Sequence, residues 1–261
     1  MTDFRIENNQ LTDRPATEPA GVFIYQNMHV CDLQLPELAA HVAVAAAAAK
    51  ELFGTDFRPD LRQTDSLCRQ MLLRNRYPRE LSSCIVMRLG AAGGVTFGCG
   101  GIFAHNGLAM NAVRPEAVSV AYDIPFGDMP TSVRMAAHEA ALADARRRGF
   151  RSVVRCNAQG LAVTADDSPL FAVFGRRIIT PATHPSVERD RVVRAAARSG
   201  YTLSEAPLER EALRRADELF YCDCRGITAL ARCDGRSYSD IIARAVAAGM
   251  DIHNSKTGNQ R

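Results

Sequence analysis

Ala145-Arg-Arg-Arg-Gly149, then Cys156-Asn-Ala-Gln-Gly160, Val163-Thr164, Leu170-Phe171 and Ile179-Thr180-Pro181 carry the reading of the fold. The run opens at the end of a helix predicted over 131–148, rich in the strong helix former alanine and stopped by Gly149 as a C-cap. Short apolar segments bounded by turn residues then predict strands over 152–155, 162–164, 171–174 and 177–179. A helix over 185–199 ends at Gly200, and a short one covers 208–216. Strands over 219–224 and 227–233 surround Arg225-Gly226, and a last helix spans 239–248.

Upstream of this run, Ile124-Pro125-Phe126-Gly127 followed by Pro130 has the composition of a linker. It divides the chain into a small lobe over 1–122, a linker over 123–130 and a larger lobe over 131–261. In the first lobe, 1–20 is polar and reads as irregular, and 21–29 reads as a strand. The segment 36–53 is a helix that tolerates Pro36 in its first turn. A second helix is expected over 58–74 and a strand over 83–88, after which the glycines of 90–107 break the pattern. The fold class is α+β in two lobes.

Composition bounds the function. A chain of 261 residues with 47% apolar and 23% charged residues buries a sizeable core. A net charge of +3, with no basic cluster interleaved with aromatics, argues against a nucleic-acid binder. The stretch 1–10 is polar, which predicts no signal peptide. The longest apolar run, 38–49, contains His41 and is too short to span a bilayer. The eight cysteines are scattered, apart from Cys222 and Cys224, so the expectation is a reducing cytoplasm, not a disulfide framework. The basic residues are almost all arginine; lysine occurs only at Lys50 and Lys256.

Further motifs join the opening run: Pro207-Leu208, Ala216-Asp217-Glu218-Leu219-Phe220 and Cys233-Asp234-Gly235. The first lobe adds Asp13-Arg14 before Gly21-Val22-Phe23, and His41 before Glu51-Leu-Phe-Gly54. Together, in this order and spacing over nearly the whole chain, they resemble the class IV (fold-type IV) aminotransferases. That group includes branched-chain and D-amino acid aminotransferases and aminodeoxychorismate lyase. The resemblance implies a small N-terminal α/β lobe, a larger C-terminal lobe, pyridoxal phosphate (PLP) held as an imine on a lysine, and a homodimer.

The resemblance also locates where this chain departs from the pattern. Counted back from Gly149, the lysine position falls on Thr131, whose hydroxyl forms no imine. Neighbouring Arg134 stays protonated and forms none either. The arginine expected three residues after the first-helix histidine is Val44. The glutamate expected after Val-Thr is Ala165, with Asp166 and Asp167 next in a shortened turn. The Gly-Ile-Thr turn that cradles phosphate at a helix N-terminus reads Val187-Glu188-Arg189.

From these residues follow the candidate sites. Thr131, Asp166 and Asp167 are candidate catalytic residues; the bland alternatives are a helix N-cap and an ordinary turn. Arg88 follows the alternating Ser83-Cys84-Ile85-Val86-Met87, and its planar fork suits a substrate carboxylate. Cys222 and Cys224, two apart on a predicted strand, share a face and are candidate pocket residues, without the spacing of a zinc site. His29, His105 and His184 lie in or beside predicted loops, and nothing in the sequence chooses among them as an acid or base. His41 reads as structural. No cofactor or metal is expected. The expected partner is a small anionic metabolite, with neither nucleic acid nor membrane. The leading expectation is a PLP-independent enzyme acting on a small carboxylate or amino-containing metabolite. The alternatives are an inactive relative that binds a ligand or partner subunit, or a true PLP enzyme.

Overall fold

The structure is a computed structural model that describes residues 3–14 and 19–250. It divides into two compact units, Met1–Gly107 with Met129–Ser132, and Leu108–Asp128 with Val133–Arg261. The first crossing thus lies at Gly107–Leu108, upstream of the linker expected at 123–130. The chain re-enters the first unit for Met129–Ser132 because that segment pairs with a strand there.

The first unit is a five-stranded antiparallel sheet covered on one face by two helices. Its elements are β1 (Arg5–Glu7), β2 (Gln10–Thr12), β3 (Phe23–Val30), α1 (Leu38–Phe53), α2 (Leu61–Arg74), β4 (Ser83–Gly90) and β5 (Val95–Ile102). The sheet order is β2-β1-β5-β4-β3. Strand alternation sorts the side chains. Ile24, Met28, Val30, Ile85, Met87, Leu89, Val95 and Phe97 form a core with Leu38, Val42 and Ala45 of α1 and Met71 and Leu72 of α2. Gln26, on the same face of β3, meets the buried His41 ring of α1 (Oε1 to Nδ1, 2.8 Å). The opposite face carries Phe23, Tyr25, Asn27 and His29 of β3 and Val86 and Arg88 of β4.

Two sequence expectations fail here for a physical reason. The polar stretch 1–20 contains β1 and β2, strands too short and too polar to show an alternating pattern. The glycine-rich stretch read as a break contains β5. Gly100 is required there by packing, since a Cβ on it would lie 2.2 Å from Cys84 Sγ, beside the bulge of β4 between Ser83 and Ile85.

The second unit is an 11-stranded mixed sheet. Its elements are β6 (Ala109–Met110), β7 (Glu116–Ala121), α3 (Ser132–Arg147), β8 (Ser152–Cys156), β9 (Ala162–Ala165), β10 (Ser168–Phe174), β11 (Arg177–Thr180), α4 (Val187–Arg198), β12 (Thr202–Glu205), α5 (Arg210–Leu213), β13 (Glu218–Asp223), β14 (Gly226–Ala229), β15 (Arg232–Cys233), β16 (Arg236–Ser237) and α6 (Ile241–Ala248). The order β16-β15-β7-β8-β9-β10-β13-β14-β6 is extended by β11 and β12 beside β10. The parallel pairs β7–β8 and β11–β12 are each bridged by a crossover helix, α3 and α4, as parallel pairing demands.

Alternation along β10 and β13 builds both faces. Phe171, Val173, Phe220 and Cys222 pack under α4 and α6, with the Phe171 and Phe220 rings stacked at 4.9 Å. Leu170, Ala172, Leu219 and Tyr221 face a second cluster with Leu208, Leu213 and Tyr238. Gly226 has φ 122, and a Cβ there would lie 2.1 Å from Ala109 O, so only glycine lets β14 pair with β6. All eight cysteines are free, and no helix among the described residues is long and apolar enough to cross a membrane.

Candidate functional site

In the first unit the segment before α3 is laid against β3. Tyr25 N donates to Pro130 O (2.8 Å), Thr131 forms an isolated antiparallel bridge with Ile24, and Phe23 N donates to Ser132 Oγ (3.2 Å). Thr131 is wholly buried. It serves as a strand-pairing residue, one position before the helix begins at Ser132. On the other side of β3, Arg88 of β4 stands opposite Tyr25 of β3 and Thr96 of β5. Its guanidinium lies 6.0 Å from the centroid of the Phe23 ring, half-buried on the face turned away from the helices. Thr131 and Arg88 therefore flank the same short stretch of β3, with one strand between them. Two strand spacings put their backbones about 10 Å apart.

Of the two lysines, Lys50 is among the described residues. Lys50 is on the last turn of α1, its side chain 61% exposed and paired with Asp56 at 3.2 Å. Lys256 lies outside the described residues.

In the second unit, Asp166 and Asp167 form the turn between β9 and β10, both with left-handed backbone (φ 44 and 59). Aspartate tolerates this conformation better than most residues. Both carboxylates are engaged by the protein itself. Asp166 Oδ1 accepts from Val153 N (3.0 Å) and Oδ2 accepts from the Tyr221 hydroxyl (2.9 Å). Asp167 takes a charge-assisted bond from Arg134, which also donates to the Asp128 carbonyl (2.6 Å). The Asp128 carboxylate in turn pairs with buried Arg155, whose Nε reaches Thr164 Oγ1 (3.4 Å) and whose guanidinium lies over Tyr122 (5.9 Å). Burial first, and then the Asp166 carboxylate, push the Tyr221 phenol up from its ordinary value, so it remains a proton donor to that carboxylate. Burial likewise raises Tyr122, against the opposing pull of Arg155.

The sequence singled out Asp166 and Asp167 but missed their partners. Arg134, Arg155, Asp128 and Tyr221 sit on three different elements and a loop, and no local spacing pairs them. The structure places Asp166 and Asp167 side by side in one turn, each with its own partners. Thr131 belongs to the other unit.

The two thiols do not share a strand face. Cys222 is the inward residue of β13, fully buried against the core under α4 and α6. The strand ends at Asp223, and Cys224 with Arg225 makes the hairpin turn, where strand alternation no longer applies. The turn is tied by Asp223, whose carboxylate accepts from Arg225 N (2.7 Å) and Nε (2.9 Å). Among the histidines, His29 proves to lie within β3, buried, with Nε2 3.2 Å from Ser82 Oγ. The His105 ring stacks on Phe103 (5.7 Å), and His184 Nδ1 lies 3.3 Å from Pro185 O.

Do these residues fit pyridoxal phosphate? The position implied for its amine is a buried threonine. The position implied for the acid at its ring nitrogen is Ala165, wholly buried in β9. At the start of α4, Ser186 is the N-cap: its Oγ accepts from Arg189 N (3.3 Å) and donates to Glu188 Oε2 (2.8 Å). Glu188 and Asp190 both stand in the first turn, where a helix would otherwise favour a phosphate. The Arg189 side chain is directed to Thr183 O and Oγ1 (both 3.4 Å) and to Glu205 (3.4 Å). At each of these positions the described residue differs from the one the resemblance implies.

The amino-transferase class IV family model matches residues 25–229. Among solved structures, the chain is similar to a branched-chain aminotransferase from Thermoproteus uzoniensis with norvaline (TM-score 0.77, 17% identity, 95% of this chain and 93% of that one). It is similar also to an aminotransferase from Brucella abortus bound to the co-factor PLP (TM-score 0.77, 15% identity, 95% and 96%). A third likeness is to a hypothetical aminotransferase from Mycobacterium tuberculosis in a PLP-bound form (TM-score 0.77, 12% identity, 95% and 99%). At these identities the likeness establishes the fold. No curated protein sequence matches the chain.

Proposed function

This chain belongs to the amino-transferase class IV family, and from that premise we propose that it is a PLP-independent member that binds a small carboxylate-bearing metabolite. The observation that carries this reading is the placement of lysine. The implied imine position is a buried threonine bridged to Ile24, and Lys50 is exposed on α1 beside Asp56. Arg88 is the anchor for the carboxylate: it is half-buried, lies over the Phe23 ring and stands on the sheet face opposite α1 and α2. Binding is favoured over turnover because Asp166 and Asp167, the candidate catalytic acids, are engaged by Val153, Tyr221 and Arg134. A general base needs a lone pair within reach of a substrate proton.

The test is calorimetry of a panel of small carboxylates against wild type and Arg88→Ala. Removing a charge-assisted hydrogen bond costs about 1.5–3 kcal/mol, so Arg88→Ala weakens binding about tenfold to a hundredfold. Equal affinity in both proteins removes Arg88 as the anchor, and no binding across the panel removes the reading. Homodimer assembly belongs to the same proposal, on the strength of the family, and light scattering at micromolar protein will give twice the chain mass; a monomer mass refutes it.

A second reading is supported by the PLP-bound structures among those similar to the chain. On it, the protein is a PLP-dependent aminotransferase or lyase whose amine is a lysine at another position than the implied one, Lys50 or Lys256. Sequencing of a reduced cofactor adduct separates the two readings.

A further inference from the structure

We infer that Glu188 is the built-in occupant of the anion position at the start of α4, a specificity-determining residue that excludes phosphorylated ligands, pyridoxal phosphate among them. This rests on the PLP-independent reading and adds a named residue to it.

The twelve-residue helix α4 begins with bare N–H groups whose dipoles favour negative charge. Such an end binds an external phosphate only if its donors and its cation are available. Here its side-chain donor and its cation are committed. The Ser186 hydroxyl, the side-chain donor of the turn, gives its proton to Glu188 Oε2 (2.8 Å). Its oxygen accepts from Arg189 N (3.3 Å). The one cation of the turn, Arg189, has a side chain only 10% exposed, directed to Thr183 and to Glu205. Glu188 is half-buried, so its charge is screened less than that of a fully solvated carboxylate. Asp190 adds a second negative charge to the same first turn. A phosphate dianion arriving here meets a carboxylate already bonded to the cap.

Calorimetry on the full chain tests this with inorganic phosphate, pyridoxal phosphate and, as the phosphate-free control, pyridoxal. Wild type, Glu188→Gln and Glu188→Ala are compared, with thermal melts to establish that each is folded. Removing one like charge from a helix N-terminus and freeing its cap donor raises affinity for the two phosphate compounds by about tenfold in Glu188→Ala. Glu188→Gln, which keeps the acceptor but not the charge, gains less, and pyridoxal binds all three alike. Wild type binding phosphate as tightly as the variants overturns the inference. So do folded variants that gain nothing, and so does a gain that pyridoxal shares. The broader reading fails separately, by a visible imine band in wild type or by the absence of any Arg88-dependent carboxylate binding.

Discussion

Incubated with pyridoxal phosphate and reduced with borohydride, the protein will give no phosphopyridoxyl peptide from residues 3–250. The expected effect is all or none, because an imine requires an unprotonated amine held against the cofactor aldehyde. In this stretch the only lysine is Lys50. It lies on α1 with its side chain mostly in water and paired with Asp56 at 3.2 Å, and an amine so exposed is not held in place against a cofactor aldehyde. Thr131 offers a hydroxyl, and Arg134 is fixed between Asp167 and the Asp128 carbonyl as a cation. The measurement is peptide mapping of the reduced sample, preceded by a visible spectrum. A stoichiometric adduct on Lys50, with an absorption band that borohydride shifts, refutes the PLP-independent reading. An adduct on Lys256 makes the protein a PLP enzyme with a displaced amine.

What the sequence disclosed follows from the range of the forces involved. Helices were legible because their signals are local. The alanine run that fills α1 and the glycines after α1 and α3 act within one or two turns, and the expected and observed bounds differ by only a few residues. The strands β8 to β11 and β13 were legible because their apolar runs are bounded by turn residues. By contrast, β5 was hidden. Gly100 is there to admit Cys84 from the next strand, a requirement set by tertiary packing. The site shows the same division. Asp166 and Asp167 stood out as a pair in the chain, but what they do depends on Val153, Tyr221 and Arg134, which lie 13, 55 and 33 residues away. Both candidate acids are thus held by hydrogen bonds from residues far off in the chain. The expectation for Cys222 and Cys224 failed over a single residue: with β13 ending at Asp223, the alternation that joined the thiols stops between them.

The largest stability effect is expected from Glu218→Ala. Glu218 is the first residue of β13 and only 2% exposed, and a carboxylate so buried is tolerated only when its oxygens are fully used. Here they cap a helix from a neighbouring strand. Oε1 accepts from Ile242 N (2.9 Å) and Ser239 Oγ (3.1 Å), and Oε2 accepts from Ala243 N (2.9 Å). The helix concerned, α6, has only eight residues and no side-chain cap of its own, since Asp240 at its N-cap makes no capping bond. Glu218 therefore satisfies its orphan N–H groups and places a negative charge against the positive end of its dipole. The same helix sends Ala243, Val246 and Ala247 into the core beneath it, so losing the cap loosens that packing as well. With two backbone donors left without their acceptor, at about 1–3 kcal/mol each and not fully additive, and a helix-end charge lost, Glu218→Ala will cost about 3–5 kcal/mol. For a protein of this size that is a fall of about 10 °C in Tm. Glu218→Gln keeps an acceptor carbonyl but loses the charge and one oxygen, and its loss will be intermediate. Scanning calorimetry or a circular dichroism melt of the three proteins decides the matter: an alanine variant within about 0.5 kcal/mol of wild type, the range of an ordinary surface substitution, means that the cap is not what holds α6 to the sheet.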